Sequence, residues 1–73
     1  MITTKTQLRN ELEHLRTKYY ATFDPSVLAY AWTIRHDLNS IGDMFGEDYP
    51  LYYDCGELRP LYSFEIAELE EVA

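Results

Sequence analysis

The sequence predicts a small, mainly α-helical domain, and three observations lead to that class. A chain of 73 residues makes one domain with a small core, because a chain of this length buries only about 60% of the surface its unfolded form exposes. Residues 24–42 combine a helix start signal, an apolar stripe and a stop signal, and residues 4–22 carry another apolar stripe at helical spacing. We predict a single domain with helices at 4–22 and 24–41, a loop at 43–59 and a third helix at 60–71.

The first predicted helix begins with a capping box. Thr4 is followed three residues later by Gln7, so the two side chains can satisfy each other's free backbone amides. Only one or two residues separate this helix from the next start signal, which predicts a helical hairpin or a sharp corner. The apolar stripe that would pack against the second helix contains Leu8, Leu12, Leu15 and Tyr19.

The second predicted helix has the clearest boundaries in the chain. Asp24 can accept hydrogen bonds from the first turn, Pro25 suits the first helical position, and Gly42 supplies the residue that commonly ends a helix. Its apolar row recurs at steps of four and three, and contains Val27, Ala31, Ile34, Leu38 and Ile41.

Leu28 and Trp32 lie to the side of that row and need a further partner. One alternative is coverage by residues 50–70 of the same chain, which we favour because large aromatic residues usually serve in cores. The other alternative is a second polypeptide. In that case Leu28 and Trp32 form an oligomer patch and the protein is a homodimer.

The second half of the chain has a less regular pattern. Gly46, Pro50 and Gly56 are turn formers, and no period is sustained between them, which favours a loop. The fold class has an α+β alternative, in which residues 51–54 pair with residues 58–66 in a short C-terminal β-hairpin. The final helix rests on a helical row that contains Leu58, Tyr62, Ile66 and Leu69.

Charge is distributed unevenly along the chain. Residues 1–42 hold five basic and four acidic residues, whereas residues 43–73 hold nine acidic residues and one basic residue, Arg59. These halves therefore carry plus one and minus eight, which together give the net charge of minus seven. A negative chain opposes direct binding to nucleic acid or to an anionic membrane, and favours a basic partner.

No pattern in the sequence predicts catalysis, a cofactor or a metal. His14 and His36 are single and lie outside the apolar stripes, and Cys55 stands between acidic residues that disfavour its reactive thiolate. The carboxylates of residues 43–57 lack the order of a calcium-binding loop. We therefore expect no enzymatic activity, and with no export signal or membrane-spanning stretch we expect a cytoplasmic protein.

The remaining candidate site is acidic and rich in tyrosine. Tyrosine offers a large contact area with few rotatable bonds, and carboxylates pair well with arginine. The leading hypothesis is an interaction protein that docks this surface on a basic, nucleic-acid-handling protein. The residues predicted to bind the partner are Asp43, Glu47, Asp48, Tyr49, Tyr52, Tyr53, Asp54 and Glu57.

In size, acidity and lack of catalytic motifs the chain resembles small phage- or plasmid-borne inhibitors that occupy nucleic-acid sites on host enzymes. That resemblance is one of composition and implies a role as an inhibitor and nucleic-acid mimic. The alternative function is a homo-oligomeric structural or regulatory module of the antitoxin type. A helix-turn-helix DNA binder is disfavoured by the net charge.

Overall fold

Two packed helices, a small antiparallel sheet and a third helix make up the protein. The computed structural model describes residues 2–54 and 57–72, so Cys55 and the predictions about its thiol lie outside the described residues. The mainly helical class is confirmed, together with the short hairpin of the α+β alternative. The elements in chain order are β1 (Ile2–Thr3), α1 (Lys5–Thr22), α2 (Pro25–Ile41), β2 (Leu51–Asp54), β3 (Glu57–Pro60) and α3 (Ser63–Val72).

The two long helices begin with the caps that the sequence predicts. The Thr4 hydroxyl accepts a hydrogen bond from the Gln7 amide at 3.3 Å, and the Gln7 side chain accepts one from the Thr4 amide at 3.1 Å. At α2, the Asp24 carboxylate accepts from the hydroxyl and the amide of Ser26, and these bonds lower the pKa of Asp24. Both helix starts are thus fixed by local side-chain chemistry.

Helix α1 turns into α2 at Phe23, a residue with positive φ. Its φ of 55° and ψ of 30° place it in the left-handed region, and its amide donates to the Tyr19 carbonyl at 2.6 Å. This conformation ends α1 and lets α2 fold back along it, because the left-handed residue reverses the chain direction. The predicted helical hairpin is therefore present.

The core lies between the helical hairpin and one face of the sheet. The side chains of Ile34 and Leu51 have no exposed surface at all. Because side chains alternate along a strand, Leu51 and Tyr53 face the helices while Tyr52 and Asp54 face away. The buried cluster contains Leu8, Leu15, Val27, Ala31, Ile34, Leu51 and Tyr53.

The prediction of a loop over residues 43–59 is wrong for its second part. β2 and β3 form an antiparallel hairpin in which Leu51 pairs with Pro60 and Asp54 pairs with Glu57. Pro60 is tolerated at the end of an edge strand, where its missing amide removes no internal hydrogen bond. Helix α3 therefore begins at Ser63 and not at Pro60. The hairpin and the helix, which the sequence presents as alternatives, follow each other.

The N-terminus is tied to the second half of the chain by two contacts that the sequence does not predict. Ile2 and Thr3 add a short edge strand to β2. Lys5, only 1% exposed, donates from its ammonium group to the carbonyl of Phe45. A buried ammonium requires such a partner, so this contact fixes the segment after α2 against the start of α1.

Helix α3 lies at the edge of the molecule. None of its side chains from residue 63 to residue 71 is buried. The molecule measures 41 × 25 × 17 Å with a radius of gyration of 13.6 Å, above the roughly 11 Å of a compact domain of this length. The elongated shape and the exposed helix show that α3 contributes little to the core.

Candidate docking site

The fold divides the predicted acidic, tyrosine-rich site, and two of its tyrosines serve the interior. Tyr53 is 3% exposed and belongs to the buried cluster. Tyr49 is half-buried, donates from its hydroxyl to the Leu61 carbonyl at 2.8 Å, and packs its ring 4.8 Å from that of Phe45. As folded, Tyr53 leaves almost no surface for a partner, and Tyr49 holds the segment between the hairpin and α3.

Tyr52 lies on the outer face of the sheet beside Arg59. The Arg59 guanidinium stands 4.9 Å from the centre of the Tyr52 ring and binds both carboxylate oxygens of Glu65, at 2.9 and 3.0 Å. Glu65 also accepts from the Tyr62 amide at the start of α3. Arg59 and then the Tyr62 amide lower the pKa of Glu65 below its ordinary value. The guanidinium and its carboxylate thus join the sheet to the first turn of α3.

The carboxylates of the predicted site fall into separate groups. Glu47 pairs with Arg9 of α1, which lowers the pKa of Glu47, and the charge of Asp43 also acts on Arg9. Asp54 and Glu57 lie opposite each other at the hairpin end. The fifth carboxylate, Asp48, is exposed in the turn before β2. The structure therefore brings these residues together in pairs and not as one acidic surface.

A groove lies between α1 and α2. Its volume is about 930 Å³, and all its lining residues come from α1, α2 and the two residues that follow α2. Among the described residues, none of β2, β3 or α3 lines it. The lining residues are Arg9, Leu12, Arg16, Tyr19, Tyr20, Leu28, Ala31, Trp32, Arg35, Leu38, Asn39, Gly42 and Asp43.

Trp32 is exposed to solvent in this groove, whereas the sequence favoured its burial. Its side chain is 63% exposed and that of Leu28 is 38% exposed. The predicted coverage of Trp32 by residues 50–70 is wrong, because the hairpin packs on the opposite side of α2, where Ile34 is fully buried. The other alternative, that a second polypeptide covers Leu28 and Trp32, agrees with the exposure of both side chains.

Three arginines give the groove positive charge. Arg35 places its guanidinium 5.8 Å from the centre of the Trp32 ring and forms no ion pair with the described residues. Arg16 meets Glu13 at 3.6 Å, an exposed contact of little strength. Arg9 is bound by Glu47. Arg16 and Arg35 are therefore the cations that a ligand in the groove would meet.

Sequence reasoning did not assign Tyr20, Arg16 or Arg35 to a protein-docking site. The available signal was helical spacing, because Arg16 and Tyr20 lie four residues apart on α1, as Leu28 and Trp32 do on α2. What the sequence lacked was the knowledge that both rows border the same uncovered groove. That knowledge depends on which face of the helical hairpin the sheet occupies.

One histidine of α2 lies beside a carboxylate. His36 and Asp37 approach to 3.7 Å, which exceeds hydrogen-bond length, and His36 is mostly exposed. In residues 2–54 and 57–72 no three His, Cys, Asp or Glu side chains are close enough to hold a metal ion. No helix in this part of the chain has both the length and the apolar character needed to cross a membrane.

No protein-family model matches the chain, and neither a curated protein nor a solved structure matches it. The groove is therefore interpreted from its own chemistry. Trp, Tyr and Arg are the residue types that most often dominate binding energy in protein interfaces. The groove joins all three with Leu12, Leu28 and Leu38 in one concavity, which makes it the best candidate for docking among the surfaces that the structure describes.

Proposed function

We propose that the protein is a cytoplasmic protein–protein interaction module that docks through the groove between α1 and α2. The observation that carries this proposal is Trp32, a large aromatic residue 63% exposed beside Leu28 and under the Arg35 guanidinium. An exposed tryptophan in a concave site has a large apolar area to bury on binding. The buried core is complete without it.

The shape and charge of the groove indicate the class of partner. Helices α1 and α2 lie side by side and form the two walls of the groove. A third helix can lie between them with its apolar face against the floor. The groove spans α2 from Leu28 to Gly42, a length of about 21 Å at the rise of an α-helix. Arg16 and Arg35 at its walls favour carboxylates on that helix. The proposed ligand is therefore an acidic amphipathic helix of up to about four turns.

Site-specific photo-crosslinking tests this function in cells. A benzophenone amino acid replaces Trp32 in one variant and Thr17, an exposed α1 residue outside the groove, in a matched control. We expect the variant at position 32 to give a discrete crosslinked species and the control to give none. Equal crosslinking at both positions, or none at position 32, would overturn the proposed docking site.

The acidic second half supports a second candidate function, an inhibitor that docks on the basic surface of a nucleic-acid-handling protein and blocks its access to DNA or RNA. The specific observation is that Arg59, the only basic residue in residues 43–73, is bound by both oxygens of Glu65. In the described residues Arg59 forms an ion pair with Glu65 alone, and it acts on Glu57 only through its charge at longer range. Besides Glu47, which pairs with Arg9, the exposed carboxylates that a partner would meet are Asp43, Asp48, Asp54, Glu57, Glu68, Glu70 and Glu71.

The ionic-strength dependence of capture tests this second function. At low salt the immobilised protein should retain basic, nucleic-acid-binding proteins from a lysate, and these should be released as salt screens the charges. A variant that carries Glu68→Arg and Glu71→Arg should retain fewer of them. If the retained proteins are not basic, or if the variant retains them equally well, this function is excluded.

A further inference from the structure

Helix α3 lacks the packing that a helix of its length requires. It has ten residues, whereas isolated helices shorter than about 12–15 residues are marginal in water. Phe64 and Leu69 expose 64% and 40% of their surface, and no side chain of residues 63–71 is buried. The helix therefore carries an apolar surface that the rest of its own chain does not cover.

The charge of α3 is unfavourable for an isolated helix as well. All its charged residues are acidic, and Glu70 and Glu71 lie near its C-terminal end. The carbonyl groups at that end carry partial negative charge, so nearby carboxylates destabilise the helix. A cationic partner close to these glutamates would remove that cost. The groove between α1 and α2 offers such cations, because Arg16 and Arg35 line it.

Helix α3 cannot reach the groove of its own chain in this fold. Its start is held at the outer face of the sheet, where Arg59 binds Glu65. Leu61, two residues before α3, donates its amide to the Pro50 carbonyl at 3.2 Å, and its carbonyl accepts from the Tyr49 hydroxyl. The sheet packs on one side of the helical hairpin, and the groove draws no residue from the sheet or α3. An occupant must come from another molecule.

We infer that the groove between α1 and α2 binds helix α3 of a second copy of this chain. This inference rests on the proposed function and names the partner. Ten helical residues extend about 15 Å, which fits within the groove length of about 21 Å. Each chain offers one groove and one α3, so two copies related by a two-fold axis fill both grooves with the same contact. The acidic helix then lies between arginines, and Trp32 is covered.

Paired charge reversals test the inference with the purified full chain. One variant carries Arg16→Glu and Arg35→Glu in the groove, and the other carries Glu68→Arg and Glu71→Arg in α3. All four positions are exposed, so each variant should fold, as circular dichroism can verify. Lys18→Glu, an exposed reversal on α1 outside the groove, is the matched control. Sedimentation velocity reports the mass of each sample.

The wild-type chain and the Lys18→Glu control should form dimers. Each double variant alone should dissociate, with a dimer dissociation constant raised roughly a hundredfold or more, because like charges then face each other. An equimolar mixture of the two variants should recover the dimer. In that heterodimer one contact is wild type and the other joins a basic α3 to an acidic groove.

Three results would overturn the inference. A dimer of the α3 variant alone would indicate contact between two grooves, and a mixture that stays monomeric would exclude exchange of α3. A wild-type chain that is monomeric at high concentration would exclude the second copy as partner. The proposed function would survive that last result if crosslinking at position 32 captured a different protein. It would fail if position 32 captured nothing, or no more than the control at position 17.

Discussion

The helical hairpin of α1 and α2 and the C-terminal helix α3 use their apolar residues in opposite ways. The helical hairpin has apolar residues on two sides. Ile34 is fully buried against the sheet, and Trp32 is exposed on the opposite side. Helix α3 has no buried side chain in residues 63–71. The fold therefore completes its core with three elements and leaves two complementary surfaces uncovered, one concave and basic, the other convex and acidic.

The largest difference between the two regions should appear on truncation of an apolar side chain. Ile34→Ala removes a fully buried side chain and should lower the free energy of unfolding by about 2–5 kcal/mol. Leu69→Ala on α3 should change it by less than about 0.5 kcal/mol in samples dilute enough to be monomeric. Denaturant unfolding followed by circular dichroism measures both. Equal losses would show that α3 belongs to the core.

The end of the helical hairpin, where the chain leaves α2, should show the next largest effect. Gly42 has φ of 57° and ψ of −143°, a combination that residues with a Cβ atom rarely adopt. Gly42→Ala should cost about 1–3 kcal/mol through backbone strain alone, because the added Cβ meets no atom within 4 Å. Gly46→Ala is the control, since Gly46 has open space around it and no positive φ. Thermal unfolding that ranks the two variants alike would contradict this reading of Gly42.

The interior role of Tyr49 should have a smaller but measurable cost. Tyr49→Phe removes the hydroxyl that donates to the Leu61 carbonyl at 2.8 Å and should lower stability by about 0.5–1.5 kcal/mol. Tyr52→Phe is the comparison, since its ring contact with Arg59 does not need the hydroxyl. If Tyr49→Phe instead left stability unchanged, Tyr49 would be free to act as the binding residue that the sequence suggested.

The attachment of α3 should weaken in acid. Arg59 and the Tyr62 amide lower the pKa of Glu65 in the folded state, so this carboxylate stabilises the fold above its unfolded pKa of about 4.3. That stability is lost as the pH falls through the lower, folded pKa. Glu65→Gln should therefore be less stable than wild type at neutral pH, and the difference should shrink in acid. Glu11→Gln, an exposed control on α1 outside the groove, should follow wild type in thermal unfolding from neutral pH to pH 3.

Local signals in the sequence sufficed for the two long helices. The Thr4 and Asp24 caps, the proline at the first position of α2 and the glycine after it all act within a few residues, so they are visible without knowledge of the fold. The strands were harder to predict because β2 and β3 have four residues each, too few to establish a period. Strand β1 depends on pairing with residues nearly fifty positions away.

The candidate site depended on tertiary arrangement and was predicted only in part. The sequence singled out Leu28 and Trp32 as apolar residues without an assigned partner, and they line the groove. The sequence does not show which side of α2 the β-hairpin packs against. The prediction therefore favoured burial of Trp32 on general grounds. It also grouped Tyr49, Tyr52 and Tyr53 by proximity, although strand alternation sends Tyr52 and Tyr53 to opposite faces.

Trp32 is the only tryptophan of the chain, and its fluorescence tests the central claim most directly. In dilute wild-type protein the emission should be that of a water-exposed indole and acrylamide should quench it efficiently. As the concentration rises, the emission should shift to shorter wavelength and quenching should fall, since α3 of a second copy covers the ring. The variant with Glu68→Arg and Glu71→Arg should stay water-exposed at every concentration. Wild-type emission that does not change with concentration, or that shifts equally in the variant, would contradict the docking of α3 in the groove.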